Sequence, residues 1–231
     1  MPSLKEIFNN RHVILPVIHV ETELQALHSA EIAKEAGCDG VFLISMRGMN
    51  HLDLLKIHKI VRQEFATWWI GINYLDLPAV SVFDNLSRGV SGVWVDNAEI
   101  YEWLNKQLKA DEIQEAQRKS GWQGLYFGGV AFKYQPRVSN IALAAKIATK
   151  YMDVITTSGS ATGQAPEKEK IEIMKAAIGD FPLAVASGVS PENVRNFLQA
   201  DCFLVATSLL VPGKEEFDPY RVKALVEAIR G

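Results

Sequence analysis

Several polar residues stand where an apolar run ends, the position from which a strand can deliver a side chain to a site. His19 follows Val17-Ile18, Asp96 follows Val93-Trp94-Val95, and Lys133 follows Gly129-Val130-Ala131-Phe132. A histidine there can move protons near neutrality or ligate a metal, and it can equally be a hydrogen-bonded core residue. The aspartate can act as general acid or base, orient ligand hydroxyls, or cap a helix. The lysine suits a base, a Schiff-base amine, a phosphate contact or a solvated loop. Asn73 closes the apolar stretch 68–75 in the same way, and Ser45, Arg47, Asp76, Asn97 and Thr157 extend the ring.

Two segments are built for an anion. Residues 157–164 read Thr-Ser-Gly-Ser-Ala-Thr-Gly-Gln, and Ser158, Gly159, Thr162 and Gly163 are the candidates within them. Residues 186–193 read Ala-Ser-Gly-Val-Ser-Pro-Glu-Asn, followed by Val-Ala-Thr-Ser-Leu at 205–209. There Ser187, Gly188, Thr207 and Ser208 are placed to donate to a phosphate. Small residues let backbone N–H groups approach an anion, and hydroxyls add donors. The plainer reading is a flexible loop for the first segment, and a tight turn with a Ser190 helix cap for the second.

No HExxH, paired-histidine or dense carboxylate cluster occurs, so no metal site is indicated beyond a bare pairing of His19 with Asp96. Nothing in the sequence specifies an organic cofactor. The two cysteines, Cys38 and Cys202, lack metal-ligand spacing and read as buried thiols of a reducing cytoplasm. A net charge of −3 offers no electrostatic case for nucleic acid or an anionic membrane. No apolar run reaches the ~20 residues of a membrane helix, and residues 1–8 read as a short amphipathic helix rather than a signal peptide.

The elements that must position these residues alternate regularly. Apolar runs at 13–20, 40–45, 68–75, 92–96, 124–132, 153–158, 183–187 and 202–208 are each followed by a helical pattern. The helices are expected at 22–36, 52–61, after Pro78, at 100–119, 140–150, 166–179, after a Ser190-Pro191-Glu192 cap, and at 218–229. In the first of these patterns Thr22 reads as N-cap and Gly37 as stop, with Leu24, Leu27, Ile32 and Ala36 on one face. Continuous rather than alternating apolar strands are expected when helices cover a parallel sheet. Eight such units, no GxGxxG after the first, no linker, and 231 residues against a norm of ~250 predict one (β/α)8 TIM barrel over 1–231, with a short N-terminal helix. Ligands of such barrels sit at the strand C-termini.

The C-terminal third resembles the BtpA family in three ordered motifs: Asp153-Val154-Ile155-Thr156-Thr157-Ser158-Gly159-Ser160-Ala161-Thr162-Gly163-Gln164-Ala165-Pro166, Leu183-Ala184-Val185-Ala186-Ser187-Gly188-Val189-Ser190-Pro191-Glu192-Asn193-Val194, and Phe203-Leu204-Val205-Ala206-Thr207-Ser208-Leu209. Asp218-Pro219-Tyr220-Arg221-Val222 follows in the family's form. Fainter echoes lie at Val17-Ile18-His19, Gly71-Ile72-Asn73-Tyr74-Leu75 and Lys133. The resemblance is that of a divergent member: Val20-Glu21-Thr22-Glu23 replaces a Pro-rich segment, and Ile44-Ser45-Met46-Arg47-Gly48 an acidic and Asn motif. It implies a barrel related to phosphate-binding enzymes such as phosphoribosylanthranilate isomerase and the tryptophan synthase α-subunit, in a family with one member tied to photosystem I biogenesis. Residues 155–163 also resemble the ribose-phosphate loop of nucleobase phosphoribosyltransferases such as the adenine enzyme, without its adjacent acids.

The expected function is thus an enzyme acting on a small phosphorylated sugar or phosphoribosyl compound, of isomerase, transferase or lyase type. Asp96, Lys133 and His19 would supply its chemistry. The alternatives are an assembly factor that binds a protein partner, for which exposed tryptophans would be the contact, and a nucleobase phosphoribosyltransferase. Homo-oligomerisation stays open.

Overall fold

In a computed structural model describing residues 3–46 and 48–231, eight parallel strands pair in chain order and close into a barrel. They are β1 (Val13–Val20), β2 (Gly40–Ser45), β3 (Trp69–Asn73), β4 (Gly92–Val95), β5 (Leu125–Gly129), β6 (Val154–Ser158), β7 (Leu183–Ala186) and β8 (Cys202–Val205). Closure is made by β1 against β8, with Val13 opposite Cys202 and Pro16 opposite Val205. The helices are α1 (Leu4–Ile7), α2 (Glu23–Glu35), α3 (His51–Glu64), α4 (Ala79–Val82), α5 (Leu108–Ser120), α6 (Ile141–Ala148), α7 (Lys168–Ile178) and α8 (Pro219–Arg230). Met1, Pro2 and the strand-end candidate Arg47 lie outside the described residues.

The two faces of each strand feed two cores. Val13, Leu15 and Val17 of β1 point inward with Phe42, Trp69, Trp94, Phe127 and Leu204. Ile14, Ile18 and Val20 point outward to the helices, as the two-residue repeat of a strand requires. The interior is narrow and its aromatics interlock edge to face, with the Phe42 ring 5.1 Å from those of both Trp69 and Phe127. Gly92 makes room for them, because a Cβ there would lie 2.3 Å from the Trp69 ring. Helix α1 closes the N-terminal end by inserting Leu4 and Phe8 into the same cluster.

Three elements depart from the sequence pattern, each for a local reason. Helix α5 begins at Leu108, not near residue 100, because the Gln107 side chain folds back onto the Tyr101 N–H and the Tyr101 and Leu104 carbonyls. No α-helix follows β7. Residues 190–193 form a turn in which the Asn193 N–H donates to the Ser190 carbonyl, and only a 3-10 segment, Val194–Phe197, follows. Its buried residues, Val194 and Phe197, stand three apart, the repeat of that tighter helix. In α2, Thr22 caps as expected through the Gln25 N–H, but Leu24 is 79% exposed. Ile32 is buried and Leu27 and Ala36 pack on the core as expected, and the small residues Ala26, Ser29, Ala30 and Ala33 fill the rest of that face in place of Leu24.

Both cysteines are free and buried, and burial pushes the Cys38 thiol up to about 12. Among the described residues, no helix is long and apolar enough to cross a membrane.

Candidate functional site

A cavity of about 300 Å³ opens at the C-terminal end of the barrel. His19, Lys133, Thr162, Gly163, Ser187, Gly188, Thr207 and Ser208 border it, above a floor that includes Trp94 and Leu204. Eight of the candidates named from sequence therefore meet in one place.

The turn after β7 supplies one wall. Ser187 and Gly188 both adopt left-handed backbone, at φ +65° and +64°. For a serine that conformation costs on the order of 1 kcal/mol and persists only where the surroundings enforce it. Gly188 is obligatory for a second reason: a Cβ there would meet the Ala165 nitrogen at 1.9 Å, because the loop after β6 lies directly on the turn. Asn193 stiffens it further, donating to the Gly188 carbonyl at 2.8 Å and accepting from the Ser190 N–H at 2.8 Å.

The turn after β8 is tied to it. Ser208 Oγ donates to the Val189 carbonyl at 2.7 Å, so this hydroxyl joins the two walls and its proton is already engaged. Arg221 of α8 completes the link. Its Nε donates to the Ser208 carbonyl, and its terminal nitrogen contacts both Glu192 carboxylate oxygens at 3.0 and 3.1 Å. The Asp-Pro-x-Arg-Val motif thus has a positioning task, with Asp218 capping α8 through the Tyr220 and Arg221 N–H groups.

Opposite stand Lys133 and Thr162, with the Lys133 ammonium donating to Thr162 Oγ at 3.2 Å. The Lys133 N–H donates to Ser158 Oγ at 2.8 Å. Ser158 is fully buried, passes its own proton to the Gly159 carbonyl, and does not border the mouth; Gly159 does not either. Both border a neighbouring cleft.

His19 continues the inward series of β1, and its Nδ1 lies 2.8 Å from Glu215 Oε2. Gln25 holds this pair from behind by donating to the backbone carbonyls of both. Asp96 and Asn73 form a separate pair beside the mouth, with Asn73 Nδ2 donating to Asp96 Oδ1 at 3.0 Å. Burial raises the Asp96 carboxyl above its usual range, against the opposing pulls of Asn73 and Lys133. This end of the barrel therefore brings together a carboxyl that burial holds above its usual range, a carboxylate-bound imidazole and a cation.

Glu215, Gln25 and Lys170, whose amine donates to the Ala131 and Ser158 carbonyls behind the Lys133 loop, escaped the sequence reading. Glu215 lies far along the chain from His19, in a loop without apolar periodicity. Lys170 sits one turn into α7 and looks like an ordinary surface lysine. Among the described residues, no group of three or more His, Cys, Asp or Glu side chains is arranged to hold a metal. The loop resembling phosphoribosyltransferases follows the sixth strand of a closed barrel, so that likeness is confined to the loop.

Comparison with known proteins extends the picture. Residues 130–231 match the BtpA family. Over 80 residues the chain is 38% identical to the Photosystem I biogenesis protein BtpA of Synechocystis sp. and 31% identical to an uncharacterised mitochondrial protein of Caenorhabditis elegans. Each alignment covers 33% of this chain and 28% of the relative, little more than a quarter of its length. Among solved structures, the (S)-3-O-geranylgeranylglyceryl phosphate synthase of Thermoplasma acidophilum, in complex with sn-glycerol-1-phosphate, superposes with a TM-score of 0.71. It is 13% identical, with 100% of this chain and 99% of that one covered, which makes the likeness one of fold.

Proposed function

We propose that this chain, BtpA-like over residues 130–231, is an enzyme that binds a small phosphorylated sugar or phosphoribosyl compound at the barrel mouth. The phosphate sits against the turns at 187–190 and 206–208, facing Lys133. One observation carries the reading: two turns of small residues, pinned to each other by Ser208 and Arg221, share a cavity with the Lys133 ammonium, which makes no ion pair within 4.0 Å among the described residues. Adjacent small-residue turns after the last two strands are a recurrent phosphate cradle in such barrels. The solved relative described above holds a glycerol phosphate.

The reacting part of the ligand then reaches toward His19 and Asp96. With Nδ1 given to Glu215, the His19 imidazole keeps Nε2 for proton transfer, and the Asp96 carboxyl, which burial raises above its usual range, serves as the second acid–base group. Proton transfer between neighbouring carbons or oxygens, as in an isomerase, fits these parts best. Ribosyl transfer and lyase chemistry draw on the same groups.

Thermal unfolding against inorganic phosphate, ribose 5-phosphate, phosphoribosyl pyrophosphate, sugar phosphates and nucleotides tests this. A selective ligand at about a hundred times its Kd should raise Tm by roughly 5–10 °C. Lys133→Ala and Thr207→Ala should abolish the rise. No shift with any phosphate would overturn the reading in favour of an assembly factor. The name of the cyanobacterial relative and the exposed Trp103, Leu104 and Leu108 around the start of α5 speak for that second reading.

A further inference from the structure

Beside the mouth lies a second cleft, of about 420 Å³, between the loops that follow β5 and β6. Its walls carry three cations, Lys133, Arg137 and Lys170, together with Ser160 and a single carboxylate, Glu167. Lys133 borders both cavities. Where they adjoin, Thr162 Oγ contacts Lys133 Nζ at 3.2 Å and the Tyr134 hydroxyl at 3.3 Å.

We propose that this cleft is a second anion subsite, joined to the mouth through Lys133, and that the ligand is a small molecule bearing two anionic groups, such as a sugar bisphosphate. The inference rests on the phosphate cradle proposed for the mouth and narrows its ligand class.

Three observations support it. Positive charge exceeds negative by three to one along the cleft, in a chain whose net charge is −3. Arg137 has neither a carboxylate nor a carbonyl partner among the described residues, so its planar fork of donors is available for bidentate contact with a phosphate or carboxylate. Lys170 is the most constrained of the three. Its amine reaches back from α7 to the Ala131 carbonyl at 2.5 Å and the Ser158 carbonyl at 2.6 Å. An ammonium has three N–H groups, so one remains for a ligand. Those two bonds also explain why Ser158 and Gly159 border this cleft: Lys170 draws the end of β6 toward the loop after β5.

Lys170 also makes the subsite sensitive to pH. Burial, partly offset by Glu167, lowers its amine to about 8. An anion beside it favours the charged form, so occupation of the cleft takes up a proton where the amine is otherwise neutral. Affinity for the second anionic group should therefore fall as pH rises through 8, and the first group should be indifferent.

Calorimetric titration with ribose 5-phosphate and ribose 1,5-bisphosphate, at pH 7.0 and 8.5 in buffers of different ionisation enthalpy, reads each part separately. The wild type should bind the bisphosphate about tenfold or more tightly than the monoester. Arg137→Ala should erase that advantage and leave monoester affinity unchanged. Proton uptake should accompany bisphosphate binding at pH 8.5 and vanish in Lys170→Arg, which stays charged throughout. Equal affinity for the two ligands in the wild type, or an Arg137→Ala variant that weakens both alike, overturns the second subsite and leaves the mouth cradle standing. Uptake that persists in Lys170→Arg overturns the part assigned to Lys170. Binding of neither ligand overturns both readings together.

Discussion

Asp96 sets burial against charge. It directly follows β4, half-buried, and burial raises its carboxyl while the Asn73 amide and the Lys133 ammonium pull it down. The net direction is upward, so the folded chain holds this proton more tightly than the unfolded chain does. The associated stability is present at low pH and is lost as pH rises through the folded value. Asp96→Asn removes the ionisation and keeps an oxygen for Asn73. Its Tm should exceed that of the wild type by a margin that grows between pH 3.5 and 7, whereas proton-transfer turnover on any substrate found should fall by about 10²–10⁴. A Tm difference constant over that range would mean that Asp96 titrates as it does in the unfolded chain. Ser187 holds a conflict of another kind, since its left-handed backbone would suit a glycine better. Both conflicts lie at the ends of strands that face the mouth. Strain and unfavourable ionisation that persist at the same end of the barrel are what the proposed site would retain against stability.

A repeated device starts three of the even-numbered strands. The residue before β2, Asp39, accepts the Ile14 N–H of β1 at 2.8 Å. Asp153, before β6, accepts the Tyr126 N–H of β5 at 2.8 Å, and Asp201, before β8, accepts the Leu183 N–H of β7 at 2.9 Å. Each carboxylate thus extends the ladder by one bond where the chain turns in from a helix. Asp39 and Asp201 are additionally neutralised by Arg230 and Lys175. Among the described residues Asp153 has no such cation, and burial raises its carboxyl. Asp153→Ala should cost about 1–3 kcal/mol in chemical denaturation, the usual cost of a buried donor left without a partner. Asp153→Asn, which keeps the acceptor and sheds the charge, should cost less than about 1 kcal/mol. An equal loss in both would place the effect in the charge rather than in the bond. At this scale the strands were readable, because continuous apolar runs bounded by turn residues have few other homes. The start of α5 and the missing helix after β7 were not readable. They depend on Gln107 and Asn193 bonding to backbone groups several residues away, and neither residue carries a propensity strong enough to show it.

Across the whole molecule, the mouth was legible where it is made of contiguous motifs and illegible where it depends on closure. Ser187, Gly188, Thr207 and Ser208 stand in short segments whose composition points to an anion, and the order of the strands brings them together. Glu215 reaches His19 only because β8 pairs with β1, and no local pattern records that meeting. The same closure bears on the family match, which spans residues 130–231 and holds β6, β7 and β8 with the whole of the proposed cradle but neither His19 nor Asp96. Those three strands do not amount to a folding unit. The interior they would enclose is filled by Phe42, Trp69, Trp94 and Phe127 from outside the segment. Removing β1 and β5 bares the N–H and C=O groups of β8 on one side and β6 on the other. A fragment of residues 130–231 should therefore lack the dispersed amide spectrum of a folded domain and should aggregate at micromolar concentration. Mixed during refolding with residues 1–129, it should recover the circular dichroism and cooperative melting of the intact chain. If the fragment instead melts cooperatively by itself, the barrel is built from two autonomous halves, and the anion cradle could have existed before the His19 and Asp96 face was added to it.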